Sequence, residues 1–301
     1  MSEKIKPPFP YFGGKQRIAS IIWKGLGEVI SNYIEPFAGS LAVLLANPKI
    51  PKIETVNDIN CMLANFWRSV SMDPEGVAKY ADWPVNETEL HARHRWLVSW
   101  ATDDLSLKMN DDPDCYDVKA AGYWIYGIGA SISGNWMLPK GLNALPMLSS
   151  AGGGIHGLTY DIREQFRRLQ ERLRRVRVAC GQWQRVLTPS ITYGNKGIGP
   201  KDITAVYLDP PYSFDNRTKV YKEKTDIYHD VCDWAVANGD NPRLRIALSG
   251  YENDYQFPDD WQKVNWNTGG GMSSLGDGGN GKENAKREVV YFSPRCLKVD
   301  I

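Results

Sequence analysis

An apolar run that ends in two prolines constrains the fold more than any other feature of this sequence. The run Thr204-Ala205-Val206-Tyr207-Leu208-Asp209 is followed at once by Pro210 and Pro211. Because proline cannot continue a hydrogen-bonded ladder, we expect a strand that ends at Asp209 and a backbone that leaves the sheet along a stiff path. A carboxylate at the end of a buried strand is typical of the functional edge of a parallel sheet.

Three other short runs have the same β-like character, and they are Tyr33–Phe37, Ile53–Asp58 and Arg245–Ser249. Between the first two, residues 40–46 (SLAVLLA) favour a helix directly after Gly39. Strand, glycine turn, helix and strand make a βαβ unit. A final strand is predicted at Glu288–Phe292, after a mobile glycine-rich loop at 269–281. The pattern predicts an α/β fold with a Rossmann-like sheet.

The length of 301 residues suggests two domains, and the composition changes inside the chain. Residues 62–157 are rich in tryptophan and begin with helical patterning, so we interpret them as a largely helical insertion. Residues 1–61 and 158–301 would then form the split sheet domain. A helix is expected over 161–177, since apolar residues recur along one face: Ile162, Phe166, Leu169, Leu173 and Val176.

Charge and cysteine content exclude several classes of protein. Lys and Arg number 36 against 35 Asp and Glu, so any nucleic-acid contact must use local positive charge. The five cysteines are widely spaced without a CxxC pair, and the histidines show no HExxH, so we expect neither a disulfide framework nor a metal site. No apolar run is long enough to span a membrane, and the N-terminus does not resemble a signal peptide. A soluble protein of a reducing compartment is expected.

The tetrapeptide Asp209-Pro210-Pro211-Tyr212 offers a carboxylate, free carbonyl acceptors and an aromatic ring on a rigid path. These groups suit a planar ring that carries an amine, because the oxygens accept its N–H groups while the phenol ring stacks on it. The alternative is a turn that merely ends a strand, with a solvated Asp209 and a packed Tyr212.

Two further motifs suggest a bound nucleotide-like ligand. Glu35-Pro36-Phe37-Ala38-Gly39-Ser40 opens a helix, and Asp58 ends the next strand, where a carboxylate receives the hydroxyls of a ribose. The motif lacks GxGxxG, which argues against a dinucleotide, and Ser40 is also an ordinary helix cap. In Tyr11-Phe12-Gly13-Gly14-Lys15, the lysine can pair with an anion; the alternative is a flexible loop with a solvated Lys15.

These motifs, in this order, resemble the Dam-like (DNA adenine methylase) family of S-adenosylmethionine-dependent N6-adenine DNA methyltransferases. The resemblance implies a methyltransferase sheet domain with an inserted target-recognition domain. It implies methyl transfer from S-adenosylmethionine to N6 of an adenine flipped out of double-stranded DNA, in a prokaryotic or phage-infected cytoplasm and without a metal. The catalytic residues implied are Asp209, Pro210, Pro211 and Tyr212.

The resemblance also assigns cofactor residues in three groups. Tyr11, Gly13, Gly14 and Lys15 form the N-terminal motif, with Lys15 near the methionine carboxylate; Pro36, Phe37, Ala38, Gly39 and Ser40 form the turn under the cofactor; Asp58 binds the ribose and Asp209 also contacts the cofactor. Cys180-Gly181-Gln182-Trp183 matches a strand end where the family usually has Gly-Asp followed by an aromatic residue. Here Gln182 still accepts a hydrogen bond from the adenine amine of the cofactor but brings no charge.

Candidate DNA contacts lie in the insertion and just beyond the catalytic motif. They are Arg93, Arg95, Asn135, Lys140, Arg217 and Lys219, with His91 and His94 beside the first two. The basic face of the 161–177 helix is more consistent with a solvated surface, although it could also neutralise phosphates. The alternatives are methylation of cytosine N4 or of RNA, and a non-catalytic DNA-binding protein with a methylase fold. A restriction endonuclease partner is left open.

Overall fold

The computed structural model describes residues 5–9, 15–101, 105–112, 114–130, 161–194, 199, 202–211, 227–266 and 288–300. Its helices are Ala19–Leu26 (α1), Ala42–Leu45 (α2), Cys61–Met72 (α3), Pro74–Ala81 (α4), Glu87–Trp100 (α5), Leu105–Asp111 (α6), Val118–Ala130 (α7), Ile162–Leu173 (α8) and Ile227–Asn238 (α9). Its strands are Asn32–Glu35 (β1), Ile53–Asp58 (β2), Val176–Cys180 (β3), Thr204–Leu208 (β4), Leu244–Tyr251 (β5), Gln262–Asn265 (β6) and Glu288–Phe292 (β7).

The strands form one sheet in the order β3-β2-β1-β4-β5-β7-β6. Strand β1 pairs in parallel with β2 and β4, and β4 pairs in parallel with β5. Strand β7 runs antiparallel to both β5 and β6. The predicted α/β class and methyltransferase-like sheet are confirmed, with an antiparallel edge that the sequence did not indicate.

The chain divides into two compact units. The helical unit comprises Met1–Gly14, Gly39–Leu45 and Asn57–Gln182, and the sheet unit comprises Lys15–Ala38, Ala46–Val56 and Trp183–Ile301. The domain limits expected from the sequence, 1–61 with 158–301 and 62–157, stay a prediction.

The helical unit has an aromatic core. The ring of Phe9 makes edge contacts with Phe66 and Trp124 at centroid distances of 5.3 and 5.2 Å, and Phe66 also contacts Phe166 of α8. Helix α8 buries the predicted apolar face at Ile162, Phe166, Leu169 and Leu173. Large rings that interlock at right angles contribute more than their buried area alone.

The expected helix over 161–177 is too long, and its last residues belong to β3. Helix α8 ends at Leu173, and the extended strand starts at Val176. The position of Val176 matched the helical period, but Val176 and Val178 are β-branched residues that lose side-chain freedom in a helix and suit a strand. A single apolar residue at the helical spacing does not distinguish a helix from a strand.

The sheet unit is built on β4 and β5, and all five residues of β4 are buried. Helix α1 packs closely on the sheet, because a Cβ added to Gly25 would lie 2.3 Å from the ring of Phe292. The ring of Trp23 from the same helix lies 4.9 Å from Tyr33 of β1. In the ranges that the structure describes, no helix has the length and apolar character to cross a membrane.

Candidate active site

Asp209 lies where the buried strand β4 ends, as its sequence predicts. Pro210 after it is buried and Pro211 is half-buried. The carboxylate of Asp209 forms an ion pair with the ammonium of Lys15, with Nζ and Oδ1 3.2 Å apart. The side chains are 5% and 18% exposed, so water screens this pair weakly. Tyr212 lies outside the described residues.

Lys15 is held in place by the start of α1. Its carbonyl accepts the N–H groups of Ile18 and Ala19 at 3.1 and 2.8 Å. Residue 15 was expected to pair with an anion, and its partner in the structure is Asp209, which the sequence did not indicate. Tyr11, Gly13 and Gly14 lie outside the described residues.

The sheet face below Asp209 carries further polar groups. Tyr33 donates to the carboxylate of Glu35 at 2.9 Å, and the hydroxyls of Tyr207 and Ser249 are 2.8 Å apart. Burial raises the pKa of both tyrosines, and nearby carboxylates raise it further. These phenols therefore stay protonated and act as hydrogen-bonding groups.

Glu288, the first residue of β7, belongs to the same electrostatic environment. Burial raises the pKa of its carboxyl group; Lys15 lowers that pKa and the charge of Asp209 raises it. The sequence alone did not indicate a role for Glu288. The available signal was an acidic residue at the start of the otherwise apolar run Glu288–Phe292.

The predicted turn Pro36-Phe37-Ala38 ends β1 in the sheet unit. Pro36 and Ala38 are buried, and the half-exposed ring of Phe37 lies 6.3 Å from the ring of Trp183 at an angle of 33°. Trp183 is itself only 6% exposed. The two predicted cofactor residues Phe37 and Trp183 are thus brought together as neighbouring aromatic surfaces.

The helical unit brings Gly39 and Asp58 together. One carboxylate oxygen of Asp58 accepts the N–H of Gly39 at 3.1 Å, and the other accepts the N–H of Asn60 at 2.9 Å. Burial raises the pKa of Asp58, and these backbone hydrogen bonds lower it again in part. The two bonds fix the orientation of the carboxylate and leave lone pairs on both oxygens.

The backbone between Gly39 and α2 adopts left-handed conformations. Gly39 has φ 47°, which glycine tolerates, but Leu41 has φ 60°. A buried leucine in this conformation stores strain of order 1 kcal/mol or more. Ser40 is 5% exposed and lies two residues before α2, which starts at Ala42. Nothing in the sequence pointed to the strained Leu41.

The end of β3 is tied to the end of β2. The N–H of Gly181 donates to the carbonyl of Asp58 at 3.1 Å, and the amide of Asn57 donates to the carbonyl of Gly181 at 2.9 Å. Gly181 has φ 148°, a conformation that other residues rarely adopt. Gln182 follows directly and is exposed.

One predicted DNA contact, Arg93, is buried among aromatic rings. Its guanidinium lies 4.2 Å from the ring centroid of Tyr126 and 4.5 Å from that of Tyr123, and it donates to the carbonyl of Tyr80 at 2.7 Å. The residue is 5% exposed, so it cannot reach a phosphate without breaking these contacts. His94 beside it is also buried.

The remaining DNA candidates divide into two groups. Arg95 is exposed on α5, as a phosphate contact requires. Asn135, Lys140, Arg217 and Lys219 lie outside the described residues. On α8, Arg163 and Arg167 form ion pairs with Asp82 and Glu75 at the surface, as expected for a solvated face. Within the described ranges, no cluster of His, Cys, Asp or Glu could hold a metal ion.

Comparison with known protein families supports the predicted resemblance. Residues 11–110, about a third of the chain, match the family model of D12 class N6 adenine-specific DNA methyltransferases. The match includes Lys15, the turn at 36–40 and Asp58. No curated protein sequence matches the chain significantly. Over residues 11–110, the family match confirms the resemblance predicted from the sequence.

Proposed function

We propose that this protein transfers a methyl group from S-adenosylmethionine to N6 of an adenine that has been flipped out of double-stranded DNA. One observation carries the proposal: Asp209 follows a fully buried strand, continues into the rigid Pro210-Pro211, and is ion-paired to the buried Lys15. This arrangement holds a carboxylate in a defined position with little access to water, which favours recognition of an amine.

The side chains of several predicted cofactor residues suit S-adenosylmethionine. Asp58 is oriented by two backbone N–H groups and has lone pairs left to accept both hydroxyls of a ribose. The half-exposed ring of Phe37, which lies beside the buried ring of Trp183, offers apolar surface, and the carboxylate of Asp209 matches a cationic ligand. When bound, S-adenosylmethionine would supply a methyl group activated by a positively charged sulfur.

Asp209 and the carbonyl of Pro210 would each accept one N–H of the adenine amine. The lone pair of that nitrogen is conjugated into the ring, and two in-plane acceptors favour the pyramidal form in which the lone pair is available. Tyr212 would stack on the flipped base, as the resemblance implies. Positioning and charge complementarity would provide the rate, without a covalent enzyme intermediate.

The test compares the wild type with Asp209→Asn, using duplex DNA and S-adenosylmethionine with a labelled methyl group. The wild type should place the label in N6-methyladenine after digestion of the DNA. Asp209→Asn keeps the shape but loses an acceptor and the charge, so its rate should fall by a factor on the order of 1,000. Calorimetric titration should show that this variant still binds S-adenosylmethionine.

Asp240→Asn is the matched control, because Asp240 is an exposed residue of the same unit. It should transfer methyl groups at the wild-type rate. Label found only in cytosine or only in RNA would contradict the proposed substrate. A wild type that binds S-adenosylmethionine and transfers nothing to any nucleic acid would contradict the proposed reaction.

A further inference from the structure

The strand register places Glu288 on the same face of the sheet as Asp209. Tyr207 of β4 pairs with Ala247 of β5, and Tyr251 of β5 pairs with Glu288 of β7. Side chains of paired residues point to the same face, and every second residue along a strand returns to it. Tyr207, Asp209, Tyr251 and Glu288 therefore share one face.

This face is the one that α1 covers. Phe292 is four residues after Glu288 in β7, so its side chain lies on the same face. It packs against Gly25 of α1. Lys15 lies four residues before the first residue of α1, and its carbonyl accepts the N–H groups of Ile18 and Ala19 at the start of that helix. The helix therefore brings the ammonium of Lys15 to the face that carries both carboxyl groups.

The ammonium of Lys15 forms an ion pair with Asp209, and its charge lowers the pKa of Glu288 on the same face. An ammonium has three N–H donors and can serve two acceptors. If Asp209 were its sole acceptor, the lysine would occupy the oxygen that the amine of the substrate needs. A second carboxylate allows Lys15 to keep its charge balanced while Asp209 receives the amine.

We propose that Glu288 is a positioning residue that shares Lys15 with Asp209 and so leaves Asp209 able to bind the target amine. The inference rests on the proposed function, since it assigns Asp209 to that amine. In this scheme, Glu288 contacts neither the DNA nor S-adenosylmethionine and acts through Lys15.

A double-mutant cycle tests the coupling, with methyl transfer to DNA measured at saturating donor. Glu288→Gln should lower kcat by a factor of about 10 to 100, as expected for a lost hydrogen bond to a charged group. In a Lys15→Met protein, Glu288→Gln should not lower kcat further, because the ammonium through which Glu288 acts is absent. Glu252→Gln is the control: Glu252 pairs with Lys263 near the surface, and its loss should leave kcat unchanged.

The pH profile separates positioning from a structural role. The carboxyl of Glu288 faces Lys15 before α1 and Asp209 after β4, and the phenol of Tyr207 also interacts with it. Because burial raises the pKa of Glu288, protonation should lower the wild-type activity at a pH above the usual carboxyl range. The Glu288→Gln profile should lack that decline.

Glu288→Asp provides a second variant, since it keeps the charge on a shorter side chain and should recover part of the lost rate. Thermal unfolding shows whether each variant folds. This inference alone would be overturned if the kcat losses of Glu288→Gln and Lys15→Met multiply in the double mutant. It would also be overturned if Glu288→Gln is as active as Glu252→Gln. A wild type without transfer activity would overturn the proposed function and this inference with it.

Discussion

Each of the two units contains a cation whose side chain is only 5% exposed, and the two cations are bound in different ways. Lys15 in the sheet unit forms an ion pair with Asp209 at the end of β4, and its charge lowers the pKa of Glu288 at the start of β7. Arg93 in the helical unit lies against the rings of Tyr123 and Tyr126, and it donates to a backbone carbonyl.

The difference lies in whether the partners can be exchanged. A flexible ammonium that shares carboxylates can change its hydrogen bonds at little cost, so it suits a site where a ligand comes and goes. A planar guanidinium between rings loses its contacts if it moves. A buried charge therefore indicates a functional site only when its partners are groups that can also bind a substrate.

Lys15→Met should show the largest effect, because it leaves Asp209 and Glu288 without their cation. The free energy of unfolding should fall by about 3 kcal/mol at neutral pH. Loss of Lys15 raises the already raised pKa of Glu288 further. A carboxyl with a raised pKa favours the folded state when it is protonated, so the loss should be smallest in acid and grow as the pH rises through that pKa. Urea unfolding over a pH series measures this, and a loss that is independent of pH would contradict the shared-lysine arrangement.

Arg93→Met should destabilise the helical unit by about 2 to 3 kcal/mol, from lost ring contacts and an unpaired carbonyl of Tyr80. This loss should barely depend on pH, because Glu89, its ion-pair partner, is 42% exposed and contributes little. The rate of methyl transfer per folded molecule should stay at the wild-type value. Urea unfolding and transfer assays at the same temperature check both points. Arg93→Lys should recover little stability, since lysine lacks the planar group; full recovery would mean that charge alone matters.

The sequence predicted the central parallel strands and the Asp209 turn because both depend on local chemistry. Apolar runs define β2 and β4, and two prolines end the second of them wherever the rest of the chain lies. The same logic placed Asp58 at a strand end. Such patterns can be interpreted from the sequence alone, because the structures that they predict do not depend on tertiary contacts.

Glu288 and Arg93 show what the sequence could not provide. The importance of Glu288 comes from the strand order, which puts β7 beside β5 although 36 residues separate Tyr251 from Glu288. Arg93 was expected at the surface, since nothing local shows that rings of α7 surround it. Both cases depend on long-range packing, which a residue pattern does not encode directly.

Asp58→Asn extends the comparison to a carboxylate that is held by backbone donors. The amide keeps one acceptor but turns an NH₂ group toward a backbone N–H, either of Gly39 or of Asn60. The dissociation constant of S-adenosylmethionine should rise about tenfold, since hydrogen bonds to a charged group are lost. Calorimetric titration measures it. Asp82→Asn, an exposed site of the same unit, is the control and should bind normally; equal affinities of the two variants would remove Asp58 from the cofactor site.

Arg95→Ala should have the smallest effect and sharpen the contrast with Arg93. Arg95 is exposed on α5, two residues from the buried Arg93, so its loss should leave stability within about 0.5 kcal/mol of the wild type. If it contacts a phosphate, DNA affinity should fall a few-fold at low salt, and the slope of log K against log salt should decrease by about 1. Fluorescence anisotropy of labelled duplex DNA measures both. Arg174→Ala, at the exposed end of α8, is the control, and a slope unchanged in Arg95→Ala would show that Arg95 does not contact DNA.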